Sequence, residues 1–225
     1  MDDLNARAIR AGLRGFAVIA ILIFLPAGTL HYWQGWALLI TFTAASTALT
    51  VYMAVYDKKL LERRLRAGPW AETRTSQKII IVLVMLGSIV FLVFPAFDHR
   101  FGWSPVPAYV SIAGDVLIVL GYLFIFFVIR ENSYAASTIQ VMDDQRVIST
   151  GPYALMRHPM YAGALLLIIG LPLALDSWYG LLGIFGFLPV LIWRLVDEER
   201  FLTRNLNGYA EYVSKIRWRL IPGLF

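Results

Sequence analysis

Long apolar runs, separated by short polar segments, dominate the chain. A helix needs roughly 20 residues to cross a hydrocarbon core of about 30 Å. Six runs approach this length, and they cover residues 15–30, 35–56, 79–97, 106–129, 161–175 and 178–196. The pattern predicts an all-α fold, a polytopic transmembrane helical bundle with about six spans.

The last two runs differ from the first four. The fifth is short, and only Asp176-Ser177 separates it from the sixth. Pro172 and Pro189 interrupt the pair. Because proline removes a backbone donor and clashes with the preceding turn, we expect a tight hairpin of imperfect helices rather than two long straight spans.

The positive charges are distributed unevenly between the connecting segments. All but one of the 20 lysines and arginines fall before the first run, in the second and fourth loops, or at the end of the chain, and Arg100 is the exception. Since cytoplasmic loops retain such residues, six spans with both termini cytoplasmic explain the distribution. The first run ends without a small-residue cleavage site, so we expect a retained helix rather than a removed signal peptide.

Composition supports a bilayer environment. The chain is 59% hydrophobic and 16% charged, whereas soluble domains are typically about 25% charged. Cysteine is absent, which excludes disulfides, thiolate metal sites and cysteine nucleophiles. We interpret the net charge of +5 as topology and attraction to anionic lipids, not as nucleic-acid binding, because no soluble basic domain is present.

We expect one integral membrane domain over residues 1–225. Spans one to four occupy residues 1–130, and a core made of a loop, the helical hairpin and a C-terminal tail occupies residues 131–225. The loop between the fourth and fifth runs and the C-terminal tail hold most of the polar residues that lie outside the apolar runs. They are therefore predicted to form a cytoplasmic cap on an apolar bundle.

The loop before the fifth run contains one candidate binding element. Pro159 suits the first turn of a helix, which places His158 near the N-cap, where free N–H groups and the positive dipole end favour an anion. Arg157 adds a forked guanidinium that suits a carboxylate. The alternative is that Arg157 reaches lipid headgroups and His158 only caps a helix.

Three consecutive acids, Asp197, Glu198 and Glu199, end the sixth run. Acids at a helix C-terminus oppose the helix dipole, so some compensation is expected. One interpretation is an ion pair between Arg194 and Glu198, which are four residues apart. The other is that Glu198 and Glu199 bind the ammonium, sulfonium or ribose hydroxyls of a cationic ligand.

Two further features have competing explanations. Tyr209, Tyr212 and Trp218 suit stacking on a purine or cation–π contact with a sulfonium, but aromatic residues also form belts at membrane boundaries. Asp115 lies within the fourth apolar run, where an ionisable group is a functional candidate by default. It equally suits a hydrogen bond within the bundle, and we leave it outside the predicted site.

The combination of motifs is more specific than its parts. It consists of Gly151-Pro152-Tyr153, Arg157-His158-Pro159-Met160-Tyr161-Ala162-Gly163, Glu198-Glu199, Tyr209-x-x-Tyr212 and Arg219-Leu220-Ile221-Pro222. Over about residue 141 to the end, this set resembles the isoprenylcysteine carboxyl methyltransferase family and its phospholipid methyltransferase relatives. One departure is in the tail, where the family often has Phe-Gly-x-x-Tyr-x-x-Tyr. Here Gly208 directly precedes Tyr209, so Gly208 is not equated with the family glycine.

The resemblance implies a methyltransferase that uses S-adenosylmethionine and acts on a lipophilic acceptor entering from the bilayer. The implied acceptor is the carboxylate of a prenylated cysteine or a similar lipid-like molecule. Arg157, which would orient that carboxylate, and Glu199 are the implied catalytic residues. The implied cofactor-binding residues are Tyr153, His158, Pro159, Tyr161, Gly163, Glu198, Glu199, Tyr209 and Tyr212. No metal is expected.

Methyl transfer to a carboxylate requires few catalytic groups from the protein. Methyl transfer is an in-line displacement at a sulfonium, and an ionised carboxylate is already nucleophilic, so alignment and exclusion of water supply most of the rate. An amine or thiol acceptor would instead require a base, for which His158, Glu198 and Glu199 are candidates.

Two other functions remain open. NADPH-dependent intramembrane sterol reductases share a related core with an Arg-His-x-x-Tyr element, but they usually have a tryptophan pair in place of Gly151-Pro152-Tyr153 and an acid at Ala164. A non-enzymatic transporter or scaffold would explain the spans but not the clustered polar segments. A soluble Rossmann-type methyltransferase is excluded because no GxGxxG follows a strand.

Overall fold

The computed structural model describes residues 3–225, so the first two residues of the predicted domain lie outside the described part. The described chain is helical, with no strand, and the all-α prediction is confirmed. Its α-helices are α1 (Asp3–Ala27), α2 (Trp33–Tyr56), α3 (Lys58–Leu65), α4 (Thr75–Phe101), α5 (Ala108–Glu131), α6 (Pro159–Ala174), α7 (Gly183–Asn205) and α8 (Tyr209–Lys215). Short 3₁₀ turns occupy Gly151–Ala154 and Tyr179–Leu182.

Five helical segments within residues 3–225 are long and apolar enough to cross a membrane. They are α1, α2, α4, α5 and the segment Tyr179–Asn205, which includes α7. The sixth apolar helix, α6, has 16 residues and a length of about 24 Å at 1.5 Å per residue, which is less than a hydrocarbon core of about 30 Å. The described chain is thus a polytopic helical bundle with five candidate spans, where about six were predicted, and the predicted fifth span is the shorter apolar helix α6.

The short helix α6 packs mainly along α5. Glycines let the two backbones approach: a Cβ at Gly114 would lie 2.4 Å from the backbone nitrogen of Ala174, and one at Gly170 would lie 2.7 Å from the carbonyl oxygen of Gly114. Small residues are the usual means of close packing between membrane helices. The connection from α6 to α7 is short, as predicted, but α5 rather than α7 fixes the position of α6.

Buried acids tie the loops together at one end of the bundle. Asp98 accepts hydrogen bonds from the backbone nitrogen of Ser104 at 2.7 Å and from the hydroxyl of Ser177 at 2.5 Å. Asp176 accepts one from the backbone nitrogen of Val106 at 2.6 Å and lies 2.9 Å from the ring of His99. Each buried carboxylate is therefore satisfied, which such groups require.

At the opposite end of the bundle, an apolar cluster packs the helix ends together, and the polar segments lie next to it. It joins Ala8 of α1, Met53 of α2, Leu61 of α3 and Ile129 of α5, and Met160 of α6 packs against it. The beginnings of α1 and α6 and the ends of α2 and α5 therefore lie together. The basic segments predicted to be cytoplasmic share this end, although which side of a membrane it faces stays a prediction.

The intramembrane acid Asp115 lies in α5, away from these polar segments. Its carboxyl interacts with the side chain of Thr41 of α2, while its buried Oδ1 has no hydrogen-bond partner within residues 3–225. This agrees with the interpretation that it stabilises the bundle, since interhelical hydrogen bonds of this kind satisfy polar groups in a membrane.

Candidate active site

A cavity of about 320 Å³ lies at the polar end of the bundle. Its walls come from α3, the loop after α5, the first turn of α6, the last part of α7 and the C-terminal tail with α8. Its volume falls in the range of roughly 300–1,000 Å³ that is typical of small-molecule sites. The predicted site residues that line it are Tyr153, Arg157, His158, Pro159, Tyr161, Glu198, Tyr209 and Tyr212.

The first turn of α6 is held in place by the tail. His158 is the N-cap of α6 and Pro159 is its first residue, as the sequence predicted. The backbone nitrogen of Arg157 donates to the carbonyl oxygen of Trp218 at 2.9 Å, and that of His158 donates to Arg219 at 2.8 Å. Backbone hydrogen bonds therefore fix the tail to the beginning of α6, and the tail is a structural part of the site.

The three consecutive acids of α7 point to three different surroundings. Asp197 pairs with Arg74 at 2.7 Å, and Glu198 accepts a hydrogen bond from the hydroxyl of Tyr161 inside the cavity. Glu199 is not among the described residues that line this cavity, and it lines a separate, more open pocket together with Arg219. This divergence follows from the helix, in which successive residues are about 100° apart at 3.6 residues per turn.

Glu199 is the centre of a buried ionic cluster. Its carboxylate lies 3.1 Å from a guanidinium nitrogen of Arg157, 3.3 Å from Nε2 of His158 and 2.9 Å from Nε of Arg219. Only 8% of Glu199 is exposed. These contacts neutralise a buried acid and join α7 to α6 and the tail. The expected conflict with a helix C-terminus does not arise, because α7 continues to Asn205 and Glu199 lies before its last turn.

Arg194 does not form the predicted ion pair with Glu198. Within residues 3–225, its acidic partner is Glu72 at 3.6 Å, and its Nη1 donates to Gln77 at 2.9 Å. Its Nε donates to the hydroxyl of Tyr161 at 3.1 Å. Burial raises the pKa of Glu72, and the nearby Arg194 opposes that rise.

Tyrosines form the wall next to the tail. Tyr153 accepts a hydrogen bond from Asn132 at 2.9 Å, and burial raises its pKa to about 12. Tyr212 donates to the carbonyl oxygen of Tyr153 at 2.8 Å. Tyr209 is 5% exposed and its hydroxyl has no partner within residues 3–225. Because buried hydroxyls normally have partners, the unpartnered hydroxyl of Tyr209 is a candidate ligand contact.

Two predicted cofactor contacts lie elsewhere. Gly163 is at the contact of α6 with α5, where a Cβ would lie 2.6 Å from Cγ1 of Ile125. Glu199 belongs to the ionic cluster. Neither is among the described residues that line the cavity, so helix packing and charge compensation explain their positions.

The displaced glycine of the tail has a clear structural place. Gly208 has a φ of +83° and is the N-cap of α8, directly before Tyr209. A glycine adopts this left-handed conformation without the steric cost that other residues incur. The turn brings Tyr209 and Tyr212 into one buried cluster with Leu206.

Sequence reasoning missed the contribution of the N-terminal half. Arg64 of α3 lines the cavity, and Glu72 and Gln77 hold Arg194 beside it. These residues lie more than 60 positions before the first motif, in an ordinary basic loop. Arg64 and Glu72 are charged and lie in a segment next to the membrane, but topology alone explained such charges, and nothing in the sequence distinguished the neutral Gln77.

The fold and the cavity define a polytopic membrane protein whose polar site is built by its C-terminal half. Residues 109–208 match the family model of phospholipid methyltransferases, a segment that runs from α5 to the N-cap of α8 and supplies most of the cavity. The resemblance inferred from the motifs is therefore confirmed over this segment.

One curated relative is similar over a segment of comparable length. The cobalt-zinc-cadmium resistance protein CzcN of Cupriavidus metallidurans is 28% identical over 102 residues, which are 44% of this chain and 47% of that protein. The chain thus spans about half the length of the curated relative it matches. Within residues 3–225, no group of three or more His, Asp and Glu side chains is placed to hold a metal ion.

Proposed function

We propose that the protein is a methyltransferase that uses S-adenosylmethionine and modifies a lipophilic acceptor. The main support is a cavity that is lined by Glu198 and by Tyr209, whose buried hydroxyl has no partner within residues 3–225. S-adenosylmethionine carries a sulfonium and an ammonium, which suit a carboxylate, and ribose hydroxyls, which suit a phenol. The match of residues 109–208 to phospholipid methyltransferases supports the same class of reaction.

The proposed acceptor is a carboxylate attached to a lipid-like chain, such as a prenylated cysteine. The cavity adjoins the apolar bundle, which supports entry of the acceptor from the bilayer and of the cofactor from the cytoplasmic side. S-adenosylmethionine supplies an electrophilic methyl group, and an ionised carboxylate can accept it without a base. The protein's own residues then align the two reactants and exclude water.

The geometry favours a division of roles that differs from the one implied by the motifs. Glu198 contacts the cofactor, because it is the acid that lines the cavity. Arg157 and Glu199 pair with each other and hold the beginning of α6 against α7. We therefore propose that Glu199 is a positioning residue, and that Arg157 orients the acceptor only through the part of its side chain that reaches the cavity wall.

Calorimetry of the detergent-solubilised protein tests the cofactor. We expect S-adenosylhomocysteine to bind and NADPH not to bind, and we expect Glu198→Gln to weaken the first interaction. Binding of NADPH without binding of S-adenosylhomocysteine would favour the sterol-type reductase. Incubation of lipid extracts with methyl-labelled cofactor then identifies the acceptor, and label in a base-labile ester indicates a carboxylate.

A further inference from the structure

A guanidinium group without an acidic partner lies at the wall of the cavity. Arg64, in the short helix α3, lines the cavity, and its Nη1 donates to the carbonyl oxygen of Ala135 at 3.0 Å. No acidic side chain within residues 3–225 lies within ion-pair distance of it. Burial lowers the pKa of Arg64, while the phenols of Tyr122 and Tyr153 act in the opposite direction. Arg64 nevertheless remains protonated at neutral pH.

Arg146 also lines the cavity without an acidic partner within residues 3–225, but its side chain is exposed to solvent. Three further arginines around the site differ from Arg64 in being paired. Arg74 pairs with Asp197, Arg157 with Glu199 and Arg194 with Glu72. A buried charge is costly unless it is paired, and proteins normally compensate it as these three pairs do. Arg64 is only partly buried, but it lacks an acidic partner within residues 3–225 and lies at the wall of the cavity.

The cavity also holds its opposite charges apart. Glu198 and Arg64 both line it, yet they do not form an ion pair with each other. A cavity with a separate anion and cation suits a ligand that carries both an ammonium or sulfonium and a carboxylate. The planar fork of a guanidinium matches a carboxylate with two parallel hydrogen bonds.

We propose that Arg64 binds the carboxylate of a ligand in this cavity. The inference rests on the proposed methyltransferase function, and it assigns a binding role to a residue outside the segment that matches phospholipid methyltransferases. Two carboxylates have the required chemistry, namely the one on the methionine part of the cofactor and the one on the acceptor.

The chain offers a matched control in the adjacent residue. Nη1 of Arg63 donates to the carbonyl oxygen of Ser133 at 2.9 Å, so both arginines of α3 hold the same loop. Arg63 is not among the described residues that line the cavity. Arg63 also lies 5.9 Å from the centre of the Tyr134 ring. Arg63→Met therefore removes loop contacts without removing a charge that lines the cavity, whereas Arg64→Met removes a loop contact and the charge at the cavity.

Calorimetry with two ligands separates the two sources of the carboxylate. S-adenosylhomocysteine has the amino-acid carboxylate, and 5′-deoxy-5′-methylthioadenosine has the same nucleoside without it. If Arg64 binds the cofactor, Arg64→Met lowers the affinity for S-adenosylhomocysteine roughly 10- to 100-fold, as expected for the loss of hydrogen bonds to a charged group. The affinity for methylthioadenosine is then unchanged. If it binds the acceptor, both affinities persist and the KM for a carboxylate acceptor rises by a similar factor. Arg63→Met changes none of these values.

Other outcomes overturn the proposal. If Arg64→Met behaves like Arg63→Met in every assay, or weakens the binding of both nucleosides equally, Arg64 only supports the loop. If the unaltered protein binds neither nucleoside, the proposed function fails and the inference fails with it. Should Arg64→Met not fold, Arg64→Lys keeps the charge but loses the fork, and a weakening of several-fold confined to the carboxylate ligand is then expected.

Discussion

At the scale of residues, the two adjacent glutamates of α7 illustrate how one helical step changes a role. Glu198 shares a hydrogen bond with Tyr161 and lines the cavity. Glu199 is buried between Arg157, His158 and Arg219. The sequence shows a pair, but the structure separates one acid that can meet a ligand from one that joins three segments.

Matched substitutions of these glutamates should have different effects. We expect Glu199→Gln to lower the free energy of unfolding by about 3–5 kcal/mol, because it removes one partner of a buried ionic cluster. Glu198→Gln should leave the midpoint of thermal unfolding nearly unchanged and lower the affinity for S-adenosylhomocysteine about tenfold or more. Thermal unfolding without ligand and calorimetry with ligand distinguish the two. Equal loss of stability in both variants would contradict the assignment.

Two tyrosines allow a similar comparison. Tyr209→Phe removes a hydroxyl that has no partner in the described chain, so stability should be unchanged while cofactor affinity falls several-fold. Tyr212→Phe removes a hydrogen bond to Tyr153 and should cost about 1 kcal/mol of stability with a smaller effect on affinity. Unfolding midpoints and calorimetric titrations of the two variants test this. An unchanged affinity in Tyr209→Phe would place the ligand elsewhere.

At the scale of elements, the contact of α5 with α6 determines where the site lies. Proline and histidine begin α6 at the cavity, but the glycines along its length fix its height and angle against α5. The apolar pattern predicted both helices. It could not predict their close approach, because helical spacing of glycines is equally compatible with exposure to lipid.

Alanine substitutions test this contact. Gly114→Ala should destabilise the protein by about 1–3 kcal/mol, because its Cβ would lie 2.4 Å from a backbone nitrogen that cannot move aside easily. Gly186→Ala is the control, since nothing lies within 4 Å of its added Cβ and alanine favours a helix. Thermal unfolding in detergent measures both. Similar midpoints for the two variants would show that α5 and α6 pack less closely than described.

At the scale of the whole molecule, the sequence predicted the apolar spans well and their ends poorly. Residues 15–30 marked the first span, but α1 begins at Asp3, and α7 continues to Asn205 beyond the predicted end at residue 196. Hydrophobicity marks only the apolar part of a helix, which lies in lipid. Backbone hydrogen bonding continues the same helix through polar residues beyond that part, and hydrophobicity does not mark this extension. The C-terminal motifs likewise predicted most of the cavity, while Arg64 joined it only through tertiary packing.

The placement of the polar end on the cytoplasmic side is open to a direct test. The chain has no cysteine, so single cysteines can be introduced without background. Ser149 lies in the loop near the cavity and His31 lies between α1 and α2 at the other end, and both are exposed. Because positive residues are retained in the cytoplasm, a membrane-impermeant maleimide should label His31→Cys in intact cells and Ser149→Cys only after permeabilisation. The reverse pattern would place the cavity on the outer side and would require the cofactor to be delivered there.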